Sequence, residues 1–179
     1  EPLDYYEIVY ENGCQPQGKP NDTQGINDNK FLRYGEIRNN FIFNYLDYLI
    51  WQDKGGTQGK YQDFEFSFRS SVEHFYPQTP DGIEGMTTDD LDSFGNLCLI
   101  THSQNSSFSN KPPLEKLGSI KNKFLNGKNK ENKLPNLKMV ELAEKLNGQW
   151  TAENQDVGVY SNIIKEHGGN MTQLFVKAR

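Results

Sequence analysis

The sequence predicts an α+β fold that is mostly helical and is organised around a small unit of two strands followed by a helix. Residues 36–52 carry apolar side chains at helical spacing. Residues 63–69 alternate polar and aromatic side chains, and residues 96–101 form an apolar run; both patterns are typical of strands. Residues 112–125 begin with two prolines, which suit the first turn of a helix. The predicted centre of the chain is therefore strand, connection, strand, helix.

The length of 179 residues favours one domain with a substantial core. We expect a polar N-terminal segment over residues 1–30 and a single domain over residues 31–179, with its central motif at residues 63–125. No apolar run is long enough to cross a bilayer and no signal segment is present, so we expect no membrane contact and a cytoplasmic location. Cys14 and Cys98 lack the paired spacing of a structural zinc site, and Cys98 is expected in the core.

The formal net charge of −5 argues weakly against a dedicated nucleic-acid binder, because phosphate neutralisation dominates affinity for DNA. The charge is uneven, however, since residues 111–138 contain eight lysines and two acidic residues. Such a basic strip can follow a phosphate backbone. The alternative interpretation is a solvated lysine-rich surface with a mobile loop at residues 126–133.

The elements before the second strand each have a predicted position. The aromatic stripe of residues 36–52 is expected to face the core, because such stripes at helical spacing are more often core than stacking platforms. Residues 63–69 are expected to turn three phenylalanines inward. Thr87 or Thr88 is expected to cap a short helix that stops at Gly95.

The elements after the second strand are predicted to be a loop and helices. Residues 103–110 are rich in asparagine and serine and predict a loop. Asn136 is expected to cap a helix with a broad apolar face. A last helix over residues 157–167 is expected to end at the glycine pair 168–169, and residues 171–176 are expected to form a short strand.

A small set of polar residues around the two strands has the chemistry of a one-metal phosphodiesterase. Hydrolysis of a phosphodiester needs a base for the attacking water and a cation that stabilises the developing charge. His74 is the candidate base, because the pKa of histidine lies near neutrality. Mg²⁺ takes oxygen ligands and keeps several waters, so Glu73 and the amide oxygen of Asn105 or Asn110 could hold it. Asn96 is placed to orient the base through its amide.

Arg69, Lys111 and Lys116 are candidates for contacting flanking phosphates, where they would position the substrate without reading its sequence. Simpler structural roles exist for every residue of the set. An isolated histidine after a strand is more often structural than catalytic. Asn96 could be a turn residue, and the other asparagines could be helix caps. His102 and His167 have no matching partners and are expected at the surface.

Three segments of the chain combine these residues in one pattern. They read Glu73-His74-x-x-Pro77-Gln78, Gly95-Asn96-Leu97-x-Leu99-Ile100 and Asn105-x-x-x-Ser109-Asn110-x-Pro112-x-x-x-Lys116. The pattern resembles the signature of HNH-type (His-Me finger) nuclease domains. It is most similar to the C-terminal domain of GmrSD-type restriction and phage-defence proteins, and the likeness covers residues 31–164.

The resemblance implies a ββα-metal site and a metal-dependent endonuclease. His74 would be the general base, Asn96 would steady it, and Glu73 would bind Mg²⁺, or Mn²⁺, together with an asparagine. Asn105 is the first choice for that asparagine and Asn110 the second. The implied substrate is DNA, with RNA not excluded, and the implied partner is an N-terminal ParB-like nucleotide-hydrolysing domain or subunit. The cysteine pairs of many HNH proteins are absent, and the segment between His74 and Asn96 is longer than in compact members.

Two other function classes compete with the nuclease hypothesis. The chain could be a catalytically inactive HNH-like module that binds DNA or another protein, in which case its DNA affinity would depend on salt and not on a chelator. It could also be a helical scaffold that docks another subunit through residues 137–150. That third hypothesis predicts association without nucleic acid.

Overall fold

The structure is a computed structural model that describes residues 31–37, 39–108, 110–120 and 136–178. The predictions for residues 1–30, for the loop at 126–133 and for the helix beyond Ile120 lie outside these ranges. Within them the chain is mostly helical with one small sheet, which confirms the predicted α+β class. In chain order the elements are α1 Phe41–Asp53, β1 Ser71–His74, α2 Thr88–Leu91, β2 Leu97–Ile100, α3 His102–Phe108, α4 Pro113–Ile120, α5 Leu137–Leu146 and α6 Val157–Lys177.

The sheet is an antiparallel pair of β1 and β2 in which Ser71 lies opposite Ile100 and His74 lies opposite Leu97. β2 is buried along its whole length and separates two hydrophobic clusters. Leu97 and Leu99 pack towards α1, whereas Cys98 and Ile100 pack towards α5 and α6. This alternation follows from the two-residue period of a strand. The expectation that Cys98 lies in the core is confirmed.

The first predicted strand is displaced along the chain. Residues 64–70 form no strand, and β1 begins at Ser71. Phe64 is buried, but Phe66 and Phe68 are 53% and 86% exposed, so the three phenylalanines do not face inward together. Alternation alone could not locate the strand, because pairing with β2 decides which residues have a partner for their backbone groups.

Helix α1 begins five residues later than predicted and does not use its aromatic stripe as its core face. The buried side chains include Phe43, Leu46 and Ile50, which lie at helical spacing towards β2. Phe41 and Tyr45 are exposed, and their rings stack on each other with centroids 6.2 Å apart. The prediction that this stripe lies in the core is therefore wrong for Phe41, Tyr45 and Tyr48.

The short helix α2 has the predicted cap, since the Thr87 hydroxyl accepts a hydrogen bond from the Asp90 amide. The helix ends before Gly95, which instead lies in a 3₁₀ turn over Phe94–Asn96. Residues 103–108, predicted as a loop, belong to helix α3. Thr101 and Gln104 exchange backbone-to-side-chain hydrogen bonds of 3.0 and 3.2 Å there, which is a capping box that the sequence reading missed.

The C-terminal helices join the hairpin into one packed unit. Asn136 caps α5 as predicted, accepting from the Met139 amide and donating to the Leu99 carbonyl of β2. Helix α6 does not end at residue 167 but continues through both glycines to Lys177, so the predicted strand at 171–176 is wrong. Gly168 serves a close backbone crossing and not a helix end, because it approaches Gly95 and leaves no room for side chains.

His167 lies on α6 and is fully buried, which contradicts its predicted surface position. Neither of its ring nitrogens lies in hydrogen-bond geometry with a group of the described residues. Burial, with the charges of Lys138 and Lys145, holds its pKa well below the usual value of 6.5. As the pH falls below about 6.5, His167 therefore binds a proton in the unfolded chain but not in the folded state.

We accordingly expect stability to be highest above pH 6.5 and to fall on acidification, by about 1.4 kcal/mol per pH unit for this one group. His74, whose pKa is also lowered, adds to the same trend. Urea unfolding at pH 7.5 and 5.5 measures the difference. His167→Leu should reduce this difference in stability between the two pH values, whereas His102→Leu, at an exposed position, should leave the difference unchanged. An equal pH dependence in all three proteins would contradict the account.

Candidate active site

A polar cleft of about 340 Å³ opens beside the end of β1. Its walls come from the end of β1, from the turn that follows it, and from α3 with the residues after that helix. The cleft brings together His74, Glu73, Asn105 and Asn110, which the sequence analysis had selected from separate segments. The residues that line it are Glu73, His74, Pro77, Gln78, Asn105, Ser106 and Asn110.

His74 is the last residue of β1, and its imidazole is held from two sides. Its Nε2 lies 3.0 Å from Oδ1 of Asp92, and the Tyr34 ring packs against it with centroids 4.5 Å apart. Burial lowers the pKa of His74 below 6.5, and the Asp92 carboxylate partly opposes this effect. The imidazole is therefore neutral at neutral pH and keeps a lone pair that can accept a proton.

Asn96 lies in the 3₁₀ turn before β2 and does not contact the His74 ring. Its Oδ1 accepts from the Tyr76 amide at 2.7 Å, and its Nδ2 donates to the carbonyls of Tyr76 and Leu91. The Asn96 carbonyl also accepts from the Phe75 amide at 2.8 Å. The predicted amide contact to His74 is absent, because these bonds use the Asn96 amide to fix the backbone that follows the histidine.

Glu73 is held by Lys116, whose Nζ lies 2.8 Å from Oε1 of Glu73 and donates to the His74 carbonyl at the same distance. The Lys116 side chain is fully buried, and burial lowers its pKa while the Glu73 carboxylate opposes that shift. Oε2 of Glu73 has no hydrogen bond to any described residue, so it remains for another ligand. Lys116 therefore fixes the carboxylate beside the cleft.

The three residues proposed to contact phosphates occupy different environments. Lys116 is buried in the ion pair with Glu73, and Arg69 is buried in an ion pair with Asp47 at 3.3 Å. Both cations are thus already paired with carboxylates, and their phosphate contacts stay predictions. Lys111 is partly exposed beside Asn110 at the edge of the cleft, and its phosphate contact stays a prediction.

Lys116→Met should therefore reduce stability by about 2–3 kcal/mol, because it leaves the Glu73 carboxylate and the His74 carbonyl without their buried donor. Chemical denaturation measures this loss. Lys111→Met is the matched control: its stability should stay within about 0.5 kcal/mol, while its affinity for nucleic acid falls and depends less on salt. A Lys116→Met protein of unchanged stability that binds nucleic acid weakly would instead support the predicted phosphate contact.

Asn105 reaches the cleft because α3 begins immediately after β2. The Asn105 amide donates to the Thr101 carbonyl at 3.0 Å, so the residue belongs to the first turn of that helix. Asn110 follows the helix and is exposed at the rim. The side-chain amides of both residues have no hydrogen bond to the described residues, and their oxygens remain for a ligand in the cleft.

Comparison with known proteins adds a family to this geometry. The family model described as GmrSD restriction endonucleases, C-terminal domain, matches residues 21–157. The chain belongs to this family. Searches of characterised proteins and of solved structures find no match. The GmrSD C-terminal family is one of restriction endonucleases, so the functional class is nuclease-related, and the resemblance to GmrSD C-terminal domains is confirmed.

The match to the GmrSD C-terminal model ends where α6 begins, at residue 157. Most of the site lies well inside the matched range, including every residue that lines the cleft. In the described part of the chain no helix is long and apolar enough to cross a membrane.

The donor set of this GmrSD-type cleft suits a hard divalent cation. The described residues contain no group of three or more His, Cys, Asp or Glu that could hold a metal by themselves. Glu73, Asn105 and Asn110, which carry carboxylate and amide oxygens, nevertheless line the same cleft. Mg²⁺ is commonly bound by one or two protein carboxylates with several waters, so the residues present fit such an ion.

Asp92 is the residue of the site that the sequence analysis missed. It lies at the C-terminal end of α2 and is 18 positions from His74 along the chain. The only sequence signal was an acidic residue shortly before the Gly95-Asn96 motif. The neighbouring acidic residues lie in the first turn of the short helix α2. Gln78 and Ser106 also line the cleft, and the sequence analysis gave neither residue a role.

Proposed function

We propose that this GmrSD-family chain is a metal-dependent endonuclease domain of the HNH (ββα-metal) type that hydrolyses phosphodiester bonds of nucleic acid, with DNA as its substrate. The observation that carries the proposal is the single cleft shared by the neutral His74 and the oxygen donors of Glu73, Asn105 and Asn110. A base and a cation site beside one another are the two requirements of this hydrolysis.

In the proposed reaction His74 accepts a proton from the attacking water. The water oxygen forms a bond to phosphorus, the bond from phosphorus to the leaving sugar oxygen breaks, and that oxygen takes a proton from solvent. The Glu73 carboxylate and the amide oxygens of Asn105 and Asn110 would hold a divalent ion. The ion, when bound, supplies positive charge to the phosphate and the leaving oxygen.

The order of the elements supports this assignment. β1 and β2 form an antiparallel hairpin, and α3 follows β2 directly, so the base and the cation ligands come from one strand–strand–helix unit. Lys116 contributes by holding Glu73, and Asn96 contributes by fixing the backbone after His74. Residues 31–179 would act together as the nuclease domain, and an N-terminal nucleotide-hydrolysing domain or subunit is proposed as its partner.

Plasmid nicking by the 179-residue chain tests the proposal. Cutting should occur with Mg²⁺ or Mn²⁺ and stop when EDTA is added. Glu73→Gln should weaken cutting and raise the metal concentration required, because a neutral amide replaces the charged ligand. Glu84→Gln, an exposed acid outside the cleft lining, is the matched control. Salt-dependent DNA binding without cutting under either metal would favour the inactive binding module instead.

A further inference from the structure

We propose that Asp92 is the positioning residue of His74, selecting the tautomer in which Nε2 carries the hydrogen and Nδ1 is the base. This inference rests on the proposed function for its catalytic meaning. Its structural content, the tautomer and its dependence on Asp92, does not require cleavage and can be measured separately.

The contact itself limits the possible tautomers. Oδ1 of Asp92 lies 3.0 Å from Nε2 of His74, a normal hydrogen-bond distance. An ionised carboxylate can only accept hydrogen bonds, so a neutral imidazole must place its hydrogen on Nε2. Nδ1 then carries the lone pair, and it has no hydrogen bond to any described residue. His74 lines the cleft, so Nδ1 is the nitrogen left to accept a proton from water there.

The position of Asp92 is fixed through its backbone. Its amide donates to the Thr88 carbonyl at 3.0 Å, which anchors it to the end of α2. Its carbonyl accepts from the Tyr34 amide, also at 3.0 Å, and the next residue, Ser93, pairs with Arg33 in an isolated bridge. A carboxylate held in this way can hold a ring more precisely than one on a free surface loop.

The same backbone contacts place the Tyr34 ring on His74. The Tyr34 and His74 rings are tilted by 56° with centroids 4.5 Å apart, while Asp92 bonds to Nε2 at the edge of the imidazole. The β1 backbone at His74 is in turn paired with Leu97. The imidazole is thus restrained through its backbone, by the Tyr34 ring and at Nε2, and Nδ1 is the ring nitrogen without a hydrogen bond to the described residues.

Asp92 takes the role that the sequence assigned to Asn96. The Asn96 amide is hydrogen-bonded to backbone groups of Tyr76 and Leu91 and to the Tyr160 hydroxyl. The Asp92 carboxylate is the group that hydrogen-bonds to the His74 ring. The pairing resembles the general arrangement in which a third group orients a catalytic base, here supplied from the connection between the two strands.

The test compares Asp92→Ala, Asp92→Asn and wild type in two measurements. Nitrogen-15 NMR of the imidazole, at a pH above 7.5 and with His74→Gln for assignment, reports which nitrogen carries the hydrogen. We expect wild type to be in the Nε2–H form and Asp92→Ala to lose that preference. Asp92→Asn, whose amide oxygen can still accept, should retain part of it. Asp53→Asn is the matched control, because it removes the same charge from the exposed end of α1.

Cleavage kinetics give the second measurement. Asp92→Ala should lower kcat about 100-fold with KM nearly unchanged, and Asp92→Asn should be intermediate. A wild-type tautomer and a wild-type kcat in Asp92→Ala would overturn the inference. If Asp92→Ala does not fold, Asp92→Asn decides by the same criteria, because it preserves the size of the side chain. If wild type does not cut DNA, the proposed function fails, and the NMR result alone still decides the role of Asp92.

Discussion

His74→Ala is expected to reduce the single-turnover rate of DNA cleavage by about 10²–10⁴-fold while leaving the fold and the affinity for DNA nearly unchanged. The reason is that His74 is the proposed base, and the described residues offer no second histidine in the cleft. The side chain is buried against Tyr34 and Asp92, so its removal should also cost some stability. Rates are therefore to be normalised to the folded fraction.

His102→Ala is the matched control for this experiment. His102 lies at the start of α3, is exposed and does not line the cleft. Its replacement should change the cleavage rate less than about twofold. Cleavage by His74→Ala at the wild-type rate would show that His74 is not the base, whatever the geometry of the cleft.

Gly95→Ala is expected to have the largest effect on stability, with a loss of about 3 kcal/mol or more. A Cβ atom at Gly95 would lie 1.8 Å from the Ile164 carbonyl oxygen of α6. Backbone cannot move away as a flexible side chain can, so either α6 or the 3₁₀ turn must shift. Because that turn contains Asn96, the substitution should also disturb the backbone beside His74 and lower cleavage.

Gly85→Ala provides the comparison, since a Cβ atom at that position would meet nothing within 4 Å. Its stability should stay within about 0.5 kcal/mol of wild type. Thermal or urea unfolding monitored by circular dichroism measures both proteins. Equal stabilities of the two variants would mean that α6 does not cross the 3₁₀ turn as described.

The cleft residues could be predicted from sequence because their chemistry is local. His74 and Glu73 are adjacent in the chain, and Asn105 and Asn110 follow the second strand at a short spacing. A hairpin with a helix directly after it brings such segments together once the burial of β2 has set the register. The caps at Thr87 and Asn136 were predictable for the same reason, since a cap depends on residues within one turn.

The supporting contacts could not be predicted because they join residues far apart in the chain. Lys116 bonds to Glu73 across 43 positions, and a lysine in a basic stretch gives no sign that it will be buried. Glycines 168 and 169 carried the usual signal of a helix end, but a close helix crossing needs the same residue. The aromatic residues of α1 and the residues 63–69 show a similar limit, since periodicity does not reveal which face has a partner.

We propose that this one cleft holds the divalent cation, and Mn²⁺ titration followed by NMR tests this claim most directly. Paramagnetic Mn²⁺ broadens the resonances of nearby amides, so the signals of Glu73, Asn105 and Asn110 should broaden first. The effect should be competed by Mg²⁺ and weakened in Glu73→Gln. Broadening centred on another part of the chain, or identical broadening in wild type and Glu73→Gln, would contradict the claim.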